Sequence, residues 1–339
     1  MGRDGRGSRE LRRRRPETGS ACRPRGACRS GRALVTLALQ LASVALLLAA
    51  GAYVVAVMDG LVGAALSGAP QPRVLRQPLE RLGRRLVQQK TETEKPDRVT
   101  RVLAPALYAA LAAAGLSVVP LADDWAAVDV EAGIVLWGSV EVLTVAAVFL
   151  HGWSPNSQLP LIGAYRYVAI GLSAMLVSMF VLIGVALPAQ SLNIGEIVES
   201  QRSLWNVVRQ PLGLPLFLVL GLSVSLRGPL DYADSADIAG GTSAESSGSE
   251  RLVWQAARSA MLVSFAAMAS AAFLGGHSGP WLPGPVWLLA KTTLLLAVLV
   301  VLGHLLARAL PSRMMTLMWT VLLPLAFADL AIAGLGALP

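Results

Sequence analysis

Eight apolar stretches recur along this 339-residue chain, and they limit its possible folds more than any other feature. They lie near residues 33–58, 102–120, 131–150, 162–188, 211–226, 255–276, 286–308 and 315–335. A helix needs about 20 apolar residues to cross the hydrocarbon core of a bilayer. Because a spanning segment must satisfy its own backbone polar groups, such stretches form helices. The sequence therefore predicts an all-α, polytopic membrane protein with about eight transmembrane helices, the fifth of which is the shortest.

Composition agrees with a membrane protein. Charged residues make up 15% of the chain and hydrophobic residues 54%, whereas soluble domains carry roughly 25% charged residues. The net charge of +8 resides in the first 32 residues, which hold 11 Arg against three acidic residues. We expect a basic, disordered tail over residues 1–32 and a multi-helix membrane domain over residues 33–339. The tail suits a topogenic or solvated segment better than a nucleic-acid-binding one. It holds two cysteines, Cys22 and Cys28, and two thiols are too few ligands for a metal site.

The basic residues of the loops indicate the orientation in the membrane. The loop over residues 59–101 holds nine Lys and Arg, whereas residues 121–130 and 277–285 hold none. Cytoplasmic loops are enriched in basic residues, so this pattern places the odd-numbered loops in the cytoplasm. The basic tail would then lie outside the cytoplasm, although its positive charge favours the cytoplasmic side. We give the several loops more weight than the one tail. No glycine-rich phosphate-binding motif precedes a helix, so the sequence predicts no nucleotide site.

Two local patterns suggest specialised positions. Leu79, Leu82 and Leu86 recur at helical spacing among Arg residues, which predicts an amphipathic helix near 77–89 at the membrane interface, although an ordinary basic loop helix has the same pattern. A charged group at mid-membrane costs roughly 3 kcal/mol. Glu141 should therefore either exchange protons or pair with Arg166 or another polar group, while Lys291 near a span end should reach the surface.

Six segments occur in the order found in one family. They are RQPLERLGRRLVQQKTETEKPDRVTRVLAPAL (76–107), HGWSPNSQLPLIGAYR (151–166), RGPLDYADSADIAGGTSAESSG (227–248), FLGG (273–276), GPVWLLAKT (284–292) and MWTVLLPLA (318–326). Over about residues 70–330 the chain resembles the H subunit of bacterial NADH-quinone oxidoreductase, respiratory complex I, whose relatives include membrane anchors of energy-converting hydrogenases.

The resemblance implies a multi-pass subunit of the cell inner (plasma) membrane. Its partners would be lipid and the other membrane and peripheral subunits of a complex I-like assembly, and its substrate would be a quinone such as ubiquinone. Electrons would arrive from an iron–sulfur cluster on a neighbouring subunit, so this chain would hold no NADH, cluster, metal or covalent cofactor, and no catalytic residue is assigned. The candidates for the quinone chamber or proton route are Gln77, Arg166, Arg227, Asp231, Asp234, Asp237, Glu245 and Glu141.

Several of these candidates also have simpler interpretations. Arg166 at a span edge is typical of an interfacial anchor. Arg227 and Asp231 should pair across the Gly-Pro between them and hold the start of the loop over residues 227–250. The acidic residues of that cytoplasmic loop are otherwise expected to be solvated.

The chain departs from the family where the family carries membrane carboxylates. Met175, Val224 and Arg258 stand at three positions that are Glu in the family. Thioether and alkyl groups exchange no proton, and an Arg reverses the charge. We therefore expect a complex containing this subunit to reduce quinone with little or no pumping through this route, unless Glu141 or ordered water replaces it.

Three alternatives stay open. The chain could be a non-pumping structural or assembly paralogue that keeps the fold and the partner contacts, or the membrane anchor of a hydrogenase-like redox complex. It could also be a small-molecule transporter, for which the sequence offers no motif.

Overall fold

The computed structural model describes residues 25–68, 74–122, 125–308 and 310–336, with side chains from residue 38 onward. Residues 1–24 of the predicted tail lie outside the described residues. The helices are α1 (Arg25–Ser67), α2 (Gln77–Val87), α3 (Arg98–Ser117), α4 (Gly133–Trp153), α5 (Gln158–Ala186), α6 (Ile194–Ser200), α7 (Asn206–Arg209), α8 (Gly213–Val224), α9 (Gly248–Phe273), α10 (Gly284–Leu305), α11 (Pro311–Leu317) and α12 (Leu323–Gly336). A π-helical turn, Met318–Leu322, joins α11 to α12.

Each predicted apolar span coincides with a helix, which confirms the all-α, polytopic prediction. Seven stretches of the described chain are long and apolar enough to cross a membrane: Ala38–Ser67, Arg98–Ser117, Gly133–Trp153, Gln158–Ala189, Gly248–Phe273, Gly284–Leu305 and Pro311–Gly336. The fifth predicted span is α8, which has only 12 residues. It extends about 18 Å and falls short of the ~30 Å hydrocarbon core. Packing against α5 and α9 encloses it.

Helix α9 is the most enclosed of the membrane-crossing helices. Every residue from Met261 to Phe273 is buried, as expected for a helix that is apolar on all sides. Its many Ala and Ser residues allow α3, α8 and α10 to approach closely. The Phe265 ring stacks on Phe217 of α8, with ring centroids 4.3 Å apart, and meets Trp137 of α4 edge-on. These contacts fix the positions of the surrounding helices.

Close helix contacts depend on glycines in the facing helices. A β-carbon on Gly51 of α1 would lie 2.7 Å from both methyl groups of Val263 in α9. A β-carbon on Gly115 of α3 would lie 2.5 Å from Cζ3 of Trp137 and 2.8 Å from Oγ of Ser264. Neither contact leaves room for a side chain.

The helix crossing at Gly115 yields a stability prediction. Gly115→Ala should destabilise the protein, because the Trp137 indole is fully buried and hydrogen-bonded and cannot move aside. Overpacking of this kind costs about 1–3 kcal/mol. The matched control is Gly63→Ala in α1, where an added β-carbon meets no atom within 4 Å and helix propensity favours Ala. Thermal unfolding in detergent should show a lower midpoint for Gly115→Ala alone. Equal midpoints for the two variants would contradict this account of the packing.

Candidate functional site

Ion pairs cluster around the loop that joins α8 to α9. Three 3-10 turns, Tyr232–Asp234, Ala236–Ile238 and Gly241–Ser243, fold this loop against α5. The fit requires Gly163 of α5, since a β-carbon there would lie 2.4 Å from the Ala233 carbonyl oxygen. The loop is thus an ordered layer that covers one end of the helices.

Asp234 lies inside this layer, and the expectation that it is solvated is wrong. Its carboxylate accepts hydrogen bonds from Arg258 Nη1 at 2.6 Å, Thr242 Oγ1 at 2.5 Å and Ser243 Oγ at 3.0 Å. Its side chain is only 9% exposed. Arg258 therefore neutralises a buried carboxylate of the loop, a relation that the sequence alone did not reveal.

The predicted ion pair between Arg227 and Asp231 does not form. Arg227 instead makes two hydrogen bonds of 2.7 Å to the carboxylate of Asp59 within α1. Asp231 accepts hydrogen bonds of 2.8 and 2.5 Å from Arg308, which follows α10. The prediction considered only neighbours along the chain, whereas the fold brings oppositely charged partners from two distant helices.

Arg166 and Asp237 form a more exposed pair. Arg166 Nη1 donates to Asp237 Oδ2 at 2.5 Å and to Ser235 Oγ at 3.3 Å. Hydrogen bonds from Ser235 and Arg166 hold the pKa of Asp237 below its ordinary value. The Asp237 side chain is 55% exposed, so solvent screens this pair strongly. Because Arg166 binds Asp237 and Ser235, it is not the partner of Glu141, and the expected partner must be another polar group.

A cavity of about 150 Å³ lies between the starts of α3 and α9 and the end of α4. Its lining consists of Arg101, Val102, Pro105, His151, Ser154, Pro155, Glu245, Ser246, Ser249, Glu250 and Val253. Arg101 Nε pairs with Glu250 Oε2 at 2.5 Å on one wall. Glu245 is half-buried and accepts a 3.4 Å hydrogen bond from Ser157 Oγ. The cavity combines ionic groups with apolar side chains.

His151 contributes an unexpected feature to this cavity. It is buried and stacks on Trp254 with ring centroids 3.8 Å apart, yet neither ring nitrogen has a hydrogen-bond partner among the described residues. Sequence reasoning assigned it no function because a lone His at a span edge is mostly structural. The available signal was its place directly before the Gly-Trp of the HGWS run.

Helix α2 contacts α9, whose first residues line the same cavity. It has no buried residue, and Leu79, Leu82 and Leu86 are all exposed. Gln77 is half-buried, faces Gly60 of α1 and accepts a 3.1 Å hydrogen bond from Arg81.

Contacts just after α2 join it to the start of α9. The Thr91 amide donates to Ser247 Oγ at 2.6 Å, and Lys90 approaches Glu250 at 3.7 Å. The amphipathic helix therefore borders the cavity wall.

Glu141 lies within the membrane-spanning part of α4, with 1% exposure. Trp137 Nε1 donates to its Oε1 at 2.8 Å and Ser178 Oγ of α5 donates to its Oε2 at 2.5 Å. Both carboxylate oxygens are thus hydrogen-bonded by neutral groups. Ser178 lies one helical turn from Met175, which is also buried. The carboxylate on α4 therefore borders the part of α5 that holds Met175.

Two buried ionisable groups differ from the expectations. Lys291 does not reach the surface: it is 6% exposed, and its Nζ donates to the carbonyl oxygens of Leu274, Gly276 and Ser278 at 2.6–3.0 Å. Asp329 of α12 is fully buried and was missed. The signal for Asp329 was a single acidic residue inside the last apolar stretch. Within the described residues, no three His, Cys, Asp or Glu side chains form a group that would hold a metal ion.

Comparisons with known proteins identify relatives of the chain. The model of the family described as NADH dehydrogenase matches residues 32–334. The chain is 33% identical over 250 residues to the second H subunit of NADH-quinone oxidoreductase from Rhodopseudomonas palustris strain CGA009, covering 72% of this chain and 78% of the relative. It is 34% identical over 239 residues to the first H subunit from strain BisA53 of the same species, covering 70% and 75%.

The contrast between the two aspartates of the loop can be tested. Asp234→Asn should lower the thermal midpoint of the purified protein and its yield in membranes, because Arg258 would keep its charge in a largely buried place. Breaking such a pair on one side is far more costly than losing a surface pair, which is worth about 0–1 kcal/mol. Asp237→Asn is the matched control and should change little. The double variant Asp234→Asn/Arg258→Met should recover part of the loss, and no recovery would contradict the pairing.

Proposed function

Because the chain belongs to the H-subunit family of NADH-quinone oxidoreductase, we propose that it forms part of the wall of a quinone chamber in a complex I-like assembly. It is a multi-pass membrane protein, and we place it in the cell inner (plasma) membrane. Other membrane and peripheral subunits complete the complex, and one of them delivers electrons to the quinone. The chain itself supplies binding surface and links the chamber to the membrane arm.

The observation that carries this proposal is the cavity beside α2. At about 150 Å³ it is smaller than the ~300–1,000 Å³ of pockets that enclose a whole ligand. It suits the head group of a quinone, with the rest of the chamber supplied by a neighbouring subunit. Apolar groups such as Val102 and Pro105 line it together with Arg101 and Glu250, which matches a ring that bears two carbonyl oxygens.

His151 gives this cavity a free hydrogen-bonding group. Its ring nitrogens are buried and have no hydrogen-bond partner within the described chain, so the ring holds an unused N–H for a quinone carbonyl that reaches it. Stacking on Trp254 holds the imidazole plane in place. We assign His151 to binding and leave the candidates Arg166, Arg227, Asp231 and Asp237 as residues that hold the loop in place around the chamber.

Helix α2 supports a route from the lipid. Its exposed leucines suit the acyl region of the bilayer, and its arginines suit phosphate groups at the interface. The contacts that join its end to α9 bring this interfacial helix to the cavity rim. A lipid-soluble quinone would pass beside α2, with Gln77 at the start of that helix.

A matched pair of valines tests the chamber. Val102 and Val99 lie on the same helix and are 74% and 75% exposed, but only Val102 is among the cavity-lining residues. Val102→Trp should raise the KM for quinone several-fold in membranes that contain the assembled complex, because the indole would fill the cavity mouth. Val99→Trp should leave the KM unchanged. Equal effects would show that the cavity is not the quinone site.

For the proton route, we propose that Glu141 is the one candidate for the missing membrane carboxylates. Met175 and Val224 cannot exchange protons, and Arg258 is held by Asp234. Glu141 is isolated among neutral donors, and no described charged group connects it to the loop. We therefore propose that the complex reduces quinone with little or no proton pumping through this subunit.

Proton uptake by vesicles that carry the complex tests this proposal. Uptake per quinone reduced should be low, and Met175→Glu alone should not raise it because two further positions remain altered. Any residual uptake should fall in Glu141→Gln and persist in Glu131→Gln, an exposed carboxylate just before α4. Robust pumping that survives Glu141→Gln would contradict the proposal.

A structural paralogue is the second candidate, favoured by the Asp234–Arg258 pair. In this pair the fixed cation of Arg258 neutralises a carboxylate of the loop. A carboxylate held in this way suits a structural scaffold better than a carrier of protons. The two functions differ in their response to substitution. A scaffold would leave quinone reduction unaffected by both Val102→Trp and Glu141→Gln, while loss of the chain would still prevent assembly.

A further inference from the structure

The last turn of helix α2 carries two arginines, Arg84 and Arg85, that form no ion pair with a described residue. Arg84 is exposed and donates one long hydrogen bond, 3.4 Å, to the Glu80 carbonyl oxygen of its own helix. Arg85 is half-buried, and its Nη1 has no hydrogen-bond partner in the same part of the chain. Because an arginine in a protein does not lose its proton, this charge can be neutralised only by an anion.

Further cations surround Arg85. Burial and repulsion from Arg251 and Arg81 lower the pKa of Arg85 below its ordinary value. Arg251 lies near the start of α9, which meets the end of α2 closely: a β-carbon on Gly248 would lie 2.9 Å from the Gln88 carbonyl oxygen. Two helices thus bring positive charge to the same place.

The acidic residue beside Arg251 in sequence does not compensate this charge. Glu250 pairs with Arg101 at 2.5 Å and is approached by Lys90 at 3.7 Å. A carboxylate that already has two cationic neighbours has little attraction left for a third. Within the described residues, the positive charge at the end of α2 therefore stays unbalanced.

A groove of about 640 Å³ lies along this part of α2. Its lining residues are Gly83, Arg84, Arg85, Val87 and Gln88. Gly83 keeps the groove open, since an added β-carbon there would meet no atom within 4 Å. The groove is thus large enough for a polyatomic anion, and both arginines of the last turn border it.

The apolar side chains of the same helix indicate which anion fits. Leu82, Leu86 and Val87 are 43%, 58% and 86% exposed, and no residue of α2 is buried. A soluble phosphate ion would leave these side chains without an apolar partner. An anionic phospholipid supplies a phosphate for the guanidinium groups and acyl chains for the leucines, at the depth where an interfacial helix lies.

We propose that the groove of α2 binds the phosphate group of an anionic phospholipid. Arg84 and Arg85 contact the phosphate, the Gln88 amide donates to one of its oxygens, and Arg81 and Arg251 add long-range attraction. This site extends the interfacial role of α2 but does not rest on the quinone chamber, because no residue that lines the groove lines the cavity.

Native mass spectrometry of the full chain in detergent tests the site. The wild type should retain several-fold more phosphatidylglycerol than phosphatidylcholine, and Arg84→Gln/Arg85→Gln should lose most of this preference. The matched control, Lys95→Gln/Arg98→Gln, removes the same charge from exposed positions between α2 and the start of α3 and should keep the preference. Equal losses in the two double variants would overturn the proposal, because they would show attraction to overall charge alone.

Competition on the wild-type protein gives a second test that needs no variant. Phosphatidylglycerol retention should fall as NaCl rises to 1 M, where the Debye length is about 3 Å. Inorganic phosphate at equal ionic strength should displace no more lipid than NaCl does. Specific displacement by phosphate would assign the groove to a soluble anion and overturn the lipid proposal.

An acidic segment of a neighbouring subunit is the other anion that the complex could offer. It would be indicated if Arg84→Gln/Arg85→Gln released a peripheral subunit from the assembled complex while the full chain kept its wild-type preference for phosphatidylglycerol. That result would also overturn the proposal.

Discussion

The rest of this structure depends on the cost of placing charge in a medium that cannot solvate it. Each charged group buried in the helix bundle must pair with an opposite charge, form several hydrogen bonds or become neutral by gaining or losing a proton. Arg258 pairs with Asp234, Arg227 pairs with Asp59, and Lys291 donates hydrogen bonds to three carbonyl oxygens. These partners lie 13 to 168 residues away along the chain, so the same interactions that neutralise charge also fix how helices and loop assemble.

The ordered loop between α8 and α9 shows how this constraint builds a site. Two of its aspartates form ion pairs with arginines outside the loop: Asp231 with Arg308 and Asp237 with Arg166. The loop consequently forms one wall around the cavity that contains His151 and Glu245. Close packing at Gly163 and along α9 holds that wall against the membrane-crossing helices.

Two carboxylates, those of Glu141 and Asp329, are buried within the membrane-crossing helices of the described chain. Glu141 on α4 is hydrogen-bonded to Ser178 of α5, one turn from Met175. Asp329 on α12 borders Gly213 at the N-terminal end of α8.

The sequence alone determined the helical, membrane-spanning class, because apolar runs of membrane length have few stable conformations. It also determined the family, from six ordered segments, and the unusual Glu141, from its isolation in an apolar run. The ion pairs were decided by the tertiary structure. Arg227 pairs with Asp59, which lies 168 residues away along the chain, and no local sequence pattern predicts a contact over that separation. Burial was likewise decided by packing: Asp234 and Lys291 resemble surface or span-edge charges in the sequence, and only the surrounding structure excludes water from them.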